Sequence, residues 1–260
     1  GTTFAANTAT HADGATFALD VENNMAAIPV FTNAVNATAA TSNDATIKLY
    51  DSNGTNAMLT HTGVGLTVTD VQTLNLNLGA FTLDNGTGNI TGADLETVIV
   101  TGSGNLDLNA TTITGDATNR VTLDASALEG NVTLMTLDGT ANAVNTVTSG
   151  GGIDTFTIDG IAGSTAGFNL TLGAAADVVN VTANGDDATA KITIDGGAGT
   201  DTLSLANSVN ISASTVSLTS VEVINLAGAG STIGSVLVNN ASIIIDETGG
   251  AQGALTVVVG

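Results

Sequence analysis

Three aspartates, Asp154, Asp177 and Asp201, stand 23 and then 24 residues apart, and each follows a Gly- or Ala-rich turn and opens a short apolar run. A second set keeps the same spacing: "TDVQTLNLNLG" (69–79) and "ADLETVIVTG" (93–102) align without gaps and place Gln72 and Glu96 24 residues apart. "TSVEVINLAG" (219–228) reads as a third copy, with Glu222 in the same slot. A period of this length suits one coil of a solenoid, built from two or three short strands joined by tight turns. Five extended residues would give such a coil a face roughly 17 Å wide.

The segments between the turns read as strands. "TIKLY", "NLDLNA", "RVTLDAS", "TFTIDG", "KITIDGG" and "DTLSLA" alternate apolar residues with Thr, Asn or Asp, and clusters of Gly, Asn and Asp bound them. "NNMAAI" and "DASALEGN" tolerate a helical reading but are too short to sustain one alone. The expected fold is all-β, a parallel β-solenoid or β-roll with coils of about 23–24 residues over 66–260. Residues 1–65 fit the period less well. They hold the only proline (Pro29), the only tyrosine (Tyr50), both histidines and a hairpin signal at Asn53-Gly54, so an atypical N-terminal β cap is expected there.

Composition narrows the partners. The 260 residues are 43% hydrophobic but only 3% aromatic, so the core is made of Ala, Val, Leu and Ile, which suit thin stacked β layers. A mean hydropathy of +0.35 argues against disorder. Lys48, Arg120 and Lys191 are the only basic residues against 24 acids, a net charge of −21. So few cations exclude nucleic acid and disfavour anionic membranes. No apolar run is long enough to span a bilayer. Gly1 is not a start methionine and no signal peptide precedes it, so a processed or excised piece is expected. Without cysteine there is no disulfide to staple the fold, which leaves metal as the expected staple. Singly placed acids read as a solvated face, whereas clustered short carboxylates in turns suit a hard cation such as Ca²⁺.

One turn carries that chemistry most clearly. "GGAGTDTLS" (196–204) fits the pattern G-G-x-G-x-D-x-U-x through Gly196, Gly197, Gly199, Asp201 and Leu203. The glycines let the backbone turn with positive φ and direct carbonyl oxygens inward. The aspartate adds a charged ligand, and the apolar residue two places on plugs the coil interior. Ca²⁺ takes six to eight oxygens, so a neighbouring coil must supply part of its shell.

These residues resemble the RTX (repeat-in-toxin) nonapeptide family, whose repeats form Ca²⁺-loaded parallel β-rolls in secreted bacterial proteins. "SGGGIDTFT" (149–157) is a shifted near-match that keeps Gly150, Gly152, Asp154 and Phe156. "LGAAADVVN" (172–180) keeps Gly173, Asp177 and Val179 but puts Ala174 and Ala175 in the turn. The stretch 197–230 is similar to RTX-type solenoids of bacterial surface-layer proteins and large adhesins, in which a Gly-Asp turn leads to a "VE-x-I/L-N-L" strand. Toxin-type repeats come every nine residues, whereas these turns recur at 23 to 24 and are partly filled. A few Ca²⁺ sites are therefore implied rather than a continuous ladder. They centre on Asp154, Asp177 and Asp201 with Gly150, Gly152, Gly197 and Gly199, and take Asp159 and Asp195 as further ligands.

Enzymatic readings find little support. His11 and His61 lie in the poorly patterned part, near no Ser or Asp constellation, and no G-x-S-x-G, H-E-x-x-H or P-loop occurs. The Asn-x-Thr/Ser triplets at Asn36, Asn85, Asn131 and Asn169 are what abundant Asn and Thr produce by chance. An ice-binding solenoid would need a regular Thr-x-Thr array, and "TFTID", "LTVTD" and "TGVGLTVT" are too scattered for one. The expected function is a non-enzymatic structural protein of the bacterial cell surface. It would be extracellular and Ca²⁺-stabilised, and would self-associate into a surface layer, lattice or filament. The alternative is a repeat segment of a large secreted adhesin that contacts cells or cell-surface polysaccharide.

Overall fold

The computed structural model describes residues 9–11, 15–20, 31–33, 44–50, 58–60, 66–69, 71–84, 89–108, 113–115, 120–137, 144–159, 167–182, 191–206, 209–211, 215–227, 231–239, 244–246 and 255–259. Among them there are twenty-six strands and no helix, and the strands pair in parallel to form a β-solenoid with coils of about 24 residues. Strands that follow one another along the chain mostly fall on different faces. One sheet has twelve strands, one nine and one five. The twelve- and nine-stranded sheets each extend by one strand from coil to coil over 73–195, while the five-stranded sheet ends at Ile113–Thr114.

The core follows from the alternation seen in the sequence. In the twelve-stranded sheet, Ala45, Leu74, Val98, Leu123, Val147, Leu170, Ile194, Leu218 and Val238 stack in register as one buried column. In the nine-stranded sheet, Phe156, Val179, Leu203 and Ile224 form another. Phe156, Val179 and Leu203 are the apolar plugs expected two places after each aspartate. Each such side chain contributes about 1.5–3 kcal/mol on burial, and stacking like on like lets every coil complete its neighbour's core.

Coils of unequal length are reconciled by register shifts and turns. Strand Val121–Leu128 slips against Thr97–Gly102 between Ile99 and Thr101, so "DASAL" belongs to a bulged strand rather than a helix. "NNMAAI" and the turn at Asn53-Gly54 lie outside the described residues. Strand Asp44–Tyr50 pairs in parallel with Ala15–Asp20 and with Thr73–Gly79, so strands from both sides of position 65 belong to the twelve-stranded sheet.

Register also stacks polar side chains on the outside. Thr73, Thr97, Thr122 and Thr146, then Asn169, Thr193 and Ser217, form one outward column of the twelve-stranded sheet. The "VEVINL" segment moves the other way. Thr73 and Thr97, which follow Gln72 and Glu96, pair within the twelve-stranded sheet, but Val223, which follows Glu222, pairs with Thr202 in the nine-stranded sheet. Glu222 is therefore not a third copy of the Gln72 and Glu96 position. Its alternating strand resembles theirs because every strand here obeys the same inside–outside rule.

Candidate functional site: an inward column of carboxylates

One inward position changes its chemistry along the rod. In the nine-stranded sheet Leu83 faces Leu106 and Leu106 faces Val132, and all three are buried. The pairing of Thr133 with Thr155, Thr155 with Val178, Val178 with Thr202 and Thr202 with Val223 carries the same position on to Asp154, Asp177, Asp201 and Glu222. The three aspartates are 0%, 0% and 1% exposed, and Glu222 is half-buried. Sequence had placed them in turns. They stand at the point where each turn enters the core.

Each acid staples the coil before it. Asp154 Oδ1 accepts the Val132 amide at 2.6 Å, Asp177 Oδ1 the Asp154 amide at 2.7 Å, and Asp201 Oδ1 the Asp177 amide at 2.8 Å. Glu222 Oε2 accepts the Asp201 amide at 2.9 Å. These partners lie 22, 23, 24 and 21 residues apart, so each bond closes one coil. The second oxygens behave differently. Oδ2 of Asp154, Asp177 and Asp201 is buried with no hydrogen-bond partner. In the last coil the space is made by Gly196, where a Cβ would sit 2.6 Å from Asp201 Oδ2. The aligned place two coils earlier is Ser149, whose buried hydroxyl influences Asp154 without completing a hydrogen bond.

Electrostatics makes this column costly. Burial raises the proton affinity of all three aspartates, and Asp177 is pushed up to about 7. The amide bonds pull each of them back in part. The charges acting on Asp177 are those of Asp154 and Asp201, and those on Asp201 are Glu222 and Asp195, all acidic. Neighbouring strands are about 4.8 Å apart, where two like charges repel by about 3–4 kcal/mol at an effective dielectric near 20. A hydrogen bond to a charged group returns about 1.5–3 kcal/mol. Fully ionised, the column carries repulsion of the same size as its staples, so it needs relief from a proton or a counter-charge.

Two hard donor types meet that need, buried carboxylate oxygens and turn carbonyls. Among the described residues no three acidic or histidine side chains converge on one point. A cation would therefore sit between two acids and complete its shell from backbone oxygens, the all-oxygen chemistry Ca²⁺ prefers. The residues fit the ion in this respect: orphaned, buried carboxyl oxygens recur in three successive coils. Around them the turns stack closely. Gly150 and Gly173 carbonyls accept the Ala174 and Ala198 amides at 2.9 and 3.0 Å, and a Cβ at Gly199 would collide with the Ala175 carbonyl oxygen. Gly152 is buried against the Gly130 carbonyl in the same way. Gly197 adopts φ +82°, and Ala175, an alanine in a turn the pattern gives to glycine, adopts φ +83°. That left-handed conformation costs a side-chain-bearing residue about 1–2 kcal/mol.

The remaining expected ligands are placed less centrally. Asp195, half-buried, ends strand Lys191–Asp195 and accepts the Gly197 amide at 3.2 Å, so it shapes the turn and acts on Asp201 through charge. Asp159 is exposed beyond strand Thr155–Ile158, at the opposite end of that strand from Asp154. Sequence reading missed Glu222 and Ser149. The 21-residue step from Asp201 to Glu222 was the available signal, and the alignment with Gln72 and Glu96 hid it.

Before the acids begin, a neutral staple does comparable work one residue earlier. Asn105 Oδ1 accepts the Asn131 amide at 2.8 Å and Asn131 Oδ1 accepts the Ile153 amide at 2.9 Å, while Asn105 Nδ2 donates to Thr82. No family model matches the chain, and neither a curated protein nor a solved structure matches it.

Proposed function

We propose that the chain is a non-enzymatic structural segment of a bacterial cell surface, a rod whose acidic coils are stiffened by Ca²⁺ and which self-associates into a layer, lattice or filament. The observation that carries this reading is the inward file of Asp154, Asp177 and Asp201, each with one oxygen stapling a neighbouring coil and one buried without a partner. Ca²⁺ would be held by these carboxylates and the adjoining turn carbonyls, and would supply positive charge that cancels repulsion and ties coil to coil. Millimolar Ca²⁺ outside cells matches the weak affinity typical of extracellular sites. The file is sealed inside the rod, so its acids are out of reach of a substrate, which favours scaffold over catalyst. Outside, columns of Thr, Asn and Ser offer repeated hydrogen-bonding groups for contact between rods.

Metal analysis of the purified protein, followed by calorimetry in Ca²⁺ and in EDTA, tests the cation. Bound calcium and a melting temperature that falls on chelation are expected, and identical melting curves would refute a metal role. Electron microscopy after Ca²⁺ addition tests assembly, with sheets or filaments expected. The outward Thr column favours one second reading, an adhesin segment that meets polysaccharide. Monodisperse rods that bind glycan would favour it.

A further inference from the structure

The inward column is not uniform, and its boundaries predict where a cation can act. Leu83, Leu106 and Val132 fill it with apolar side chains, and Asp154, Asp177, Asp201 and Glu222 follow without a break in register. Glu222 differs from the rungs above it. Its coil closes in 21 residues instead of 24, and its longer side chain spans the gap to the Asp201 amide. It is also one of the two acids whose charge acts on Asp201. At the other end, Ser149 adds a second buried oxygen without a hydrogen-bond partner beside Asp154.

We infer that Ca²⁺ is held between successive acids of this one column, that Glu222 is its last ligand among the described residues, and that the coils centred on Leu83 and Leu106 do not respond to the ion. This rests on the calcium reading above and adds to it a ligand and a boundary. The partnerless, fully buried Oδ2 atoms of three consecutive rungs are what point to a bound cation, and the upstream rungs offer no side-chain oxygen at this position. Upstream, the neighbouring turn position is stapled by Asn105 and Asn131, whose neutral amides need no counter-charge.

Hydrogen–deuterium exchange on the intact chain, in CaCl₂ and in EDTA, tests the boundary. Slower exchange in calcium is expected across 132–223 and unchanged exchange across 71–108. Equal gains in both segments would overturn the boundary while leaving calcium binding intact. No gain anywhere would sink the calcium reading and this inference together. Glu222→Gln tests the last ligand, because a glutamine oxygen can still accept the Asp201 amide and keep the coil closed. Titration calorimetry should show calcium affinity reduced roughly tenfold or one equivalent lost, with exchange slowed by calcium at Asp154 but no longer at Asp201. Wild-type affinity, stoichiometry and exchange pattern in this variant would remove Glu222 from the site.

Discussion

The coils through Leu83, Leu106 and Val132 and the coils through Asp154, Asp177 and Asp201 share one backbone path and use one inward position for opposite chemistry. In the first group the position is apolar and the corner amide is capped from outside by asparagine. In the second the capping group moves inside and becomes charged. The direction of the staple reverses as well. Asn105 and Asn131 accept from the following coil, whereas each aspartate accepts from the preceding one. Apolar coils hold under any ionic condition. Charged coils are conditional, because their repulsion is of the same size as their hydrogen bonding.

The largest expected effect comes from imposing the second chemistry on the first. Leu106→Asp puts a carboxyl into an apolar rung whose corner is already capped, and should cost about 5 kcal/mol through lost burial and an unpaired polar group. Calcium should not restore it, since Leu83 and Val132 supply no ligand. Denaturant unfolding measures both, and full rescue by calcium would erase the distinction between the two regions.

The converse change is Asp177→Asn, which keeps an acceptor for the Asp154 amide and removes the central charge. In EDTA at pH 8 it should stabilise by about 1 kcal/mol or more, since a buried charge facing like charges is replaced by a neutral group. In calcium it should destabilise. The sign change between the two conditions, read from melting temperatures, is the diagnostic, and the same sign in both would show that Asp177 meets no cation.

Acidity gives a related contrast. Asp177 takes up its proton near pH 7 in the folded chain but near 3.8 as an ordinary carboxyl, so the folded state binds that proton more tightly. Its contribution in EDTA is therefore complete below about pH 4 and is lost as pH rises through 7. Metal-free protein should melt higher at pH 5.5 than at pH 8, and Asp177→Asn should flatten that slope. In saturating calcium the slope should weaken or invert, because protons then compete with the ion.

Two smaller changes probe the corners. Asn131→Ala leaves the Ile153 amide without its side-chain acceptor at an exposed turn, where water substitutes. A loss of about 0.5–1 kcal/mol, equal in calcium and EDTA, is expected. Ala175→Gly should gain about 0.5–1 kcal/mol, because relief of the left-handed conformation exceeds the added freedom of the unfolded chain. A loss on that substitution would mean the alanine methyl contributes packing that outweighs its backbone strain.

Much of this was legible in the sequence for a physical reason. Strand alternation has a period of two, and a solenoid repeats its turn once per coil, so the spacing of Asp154, Asp177 and Asp201 and the apolar plugs behind them declare the fold and the equivalence of those residues. Faces were harder to read. The step between coils is not constant: it is 20 residues between Leu218 and Val238, 21 between Asp201 and Glu222, 26 between Asn105 and Asn131 and 30 between Ala15 and Ala45, and bulges take up part of the difference. Glu222 therefore looks like a partner of Glu96 though it lies on another face. By itself, then, the sequence determined a parallel β-solenoid in which Asp154, Asp177 and Asp201 hold equivalent places in successive coils, because local periodicity suffices for that. Only the tertiary structure decided that those acids point into the core, one above another, each with an oxygen left over. Burial and register between coils are long-range properties that no single coil encodes.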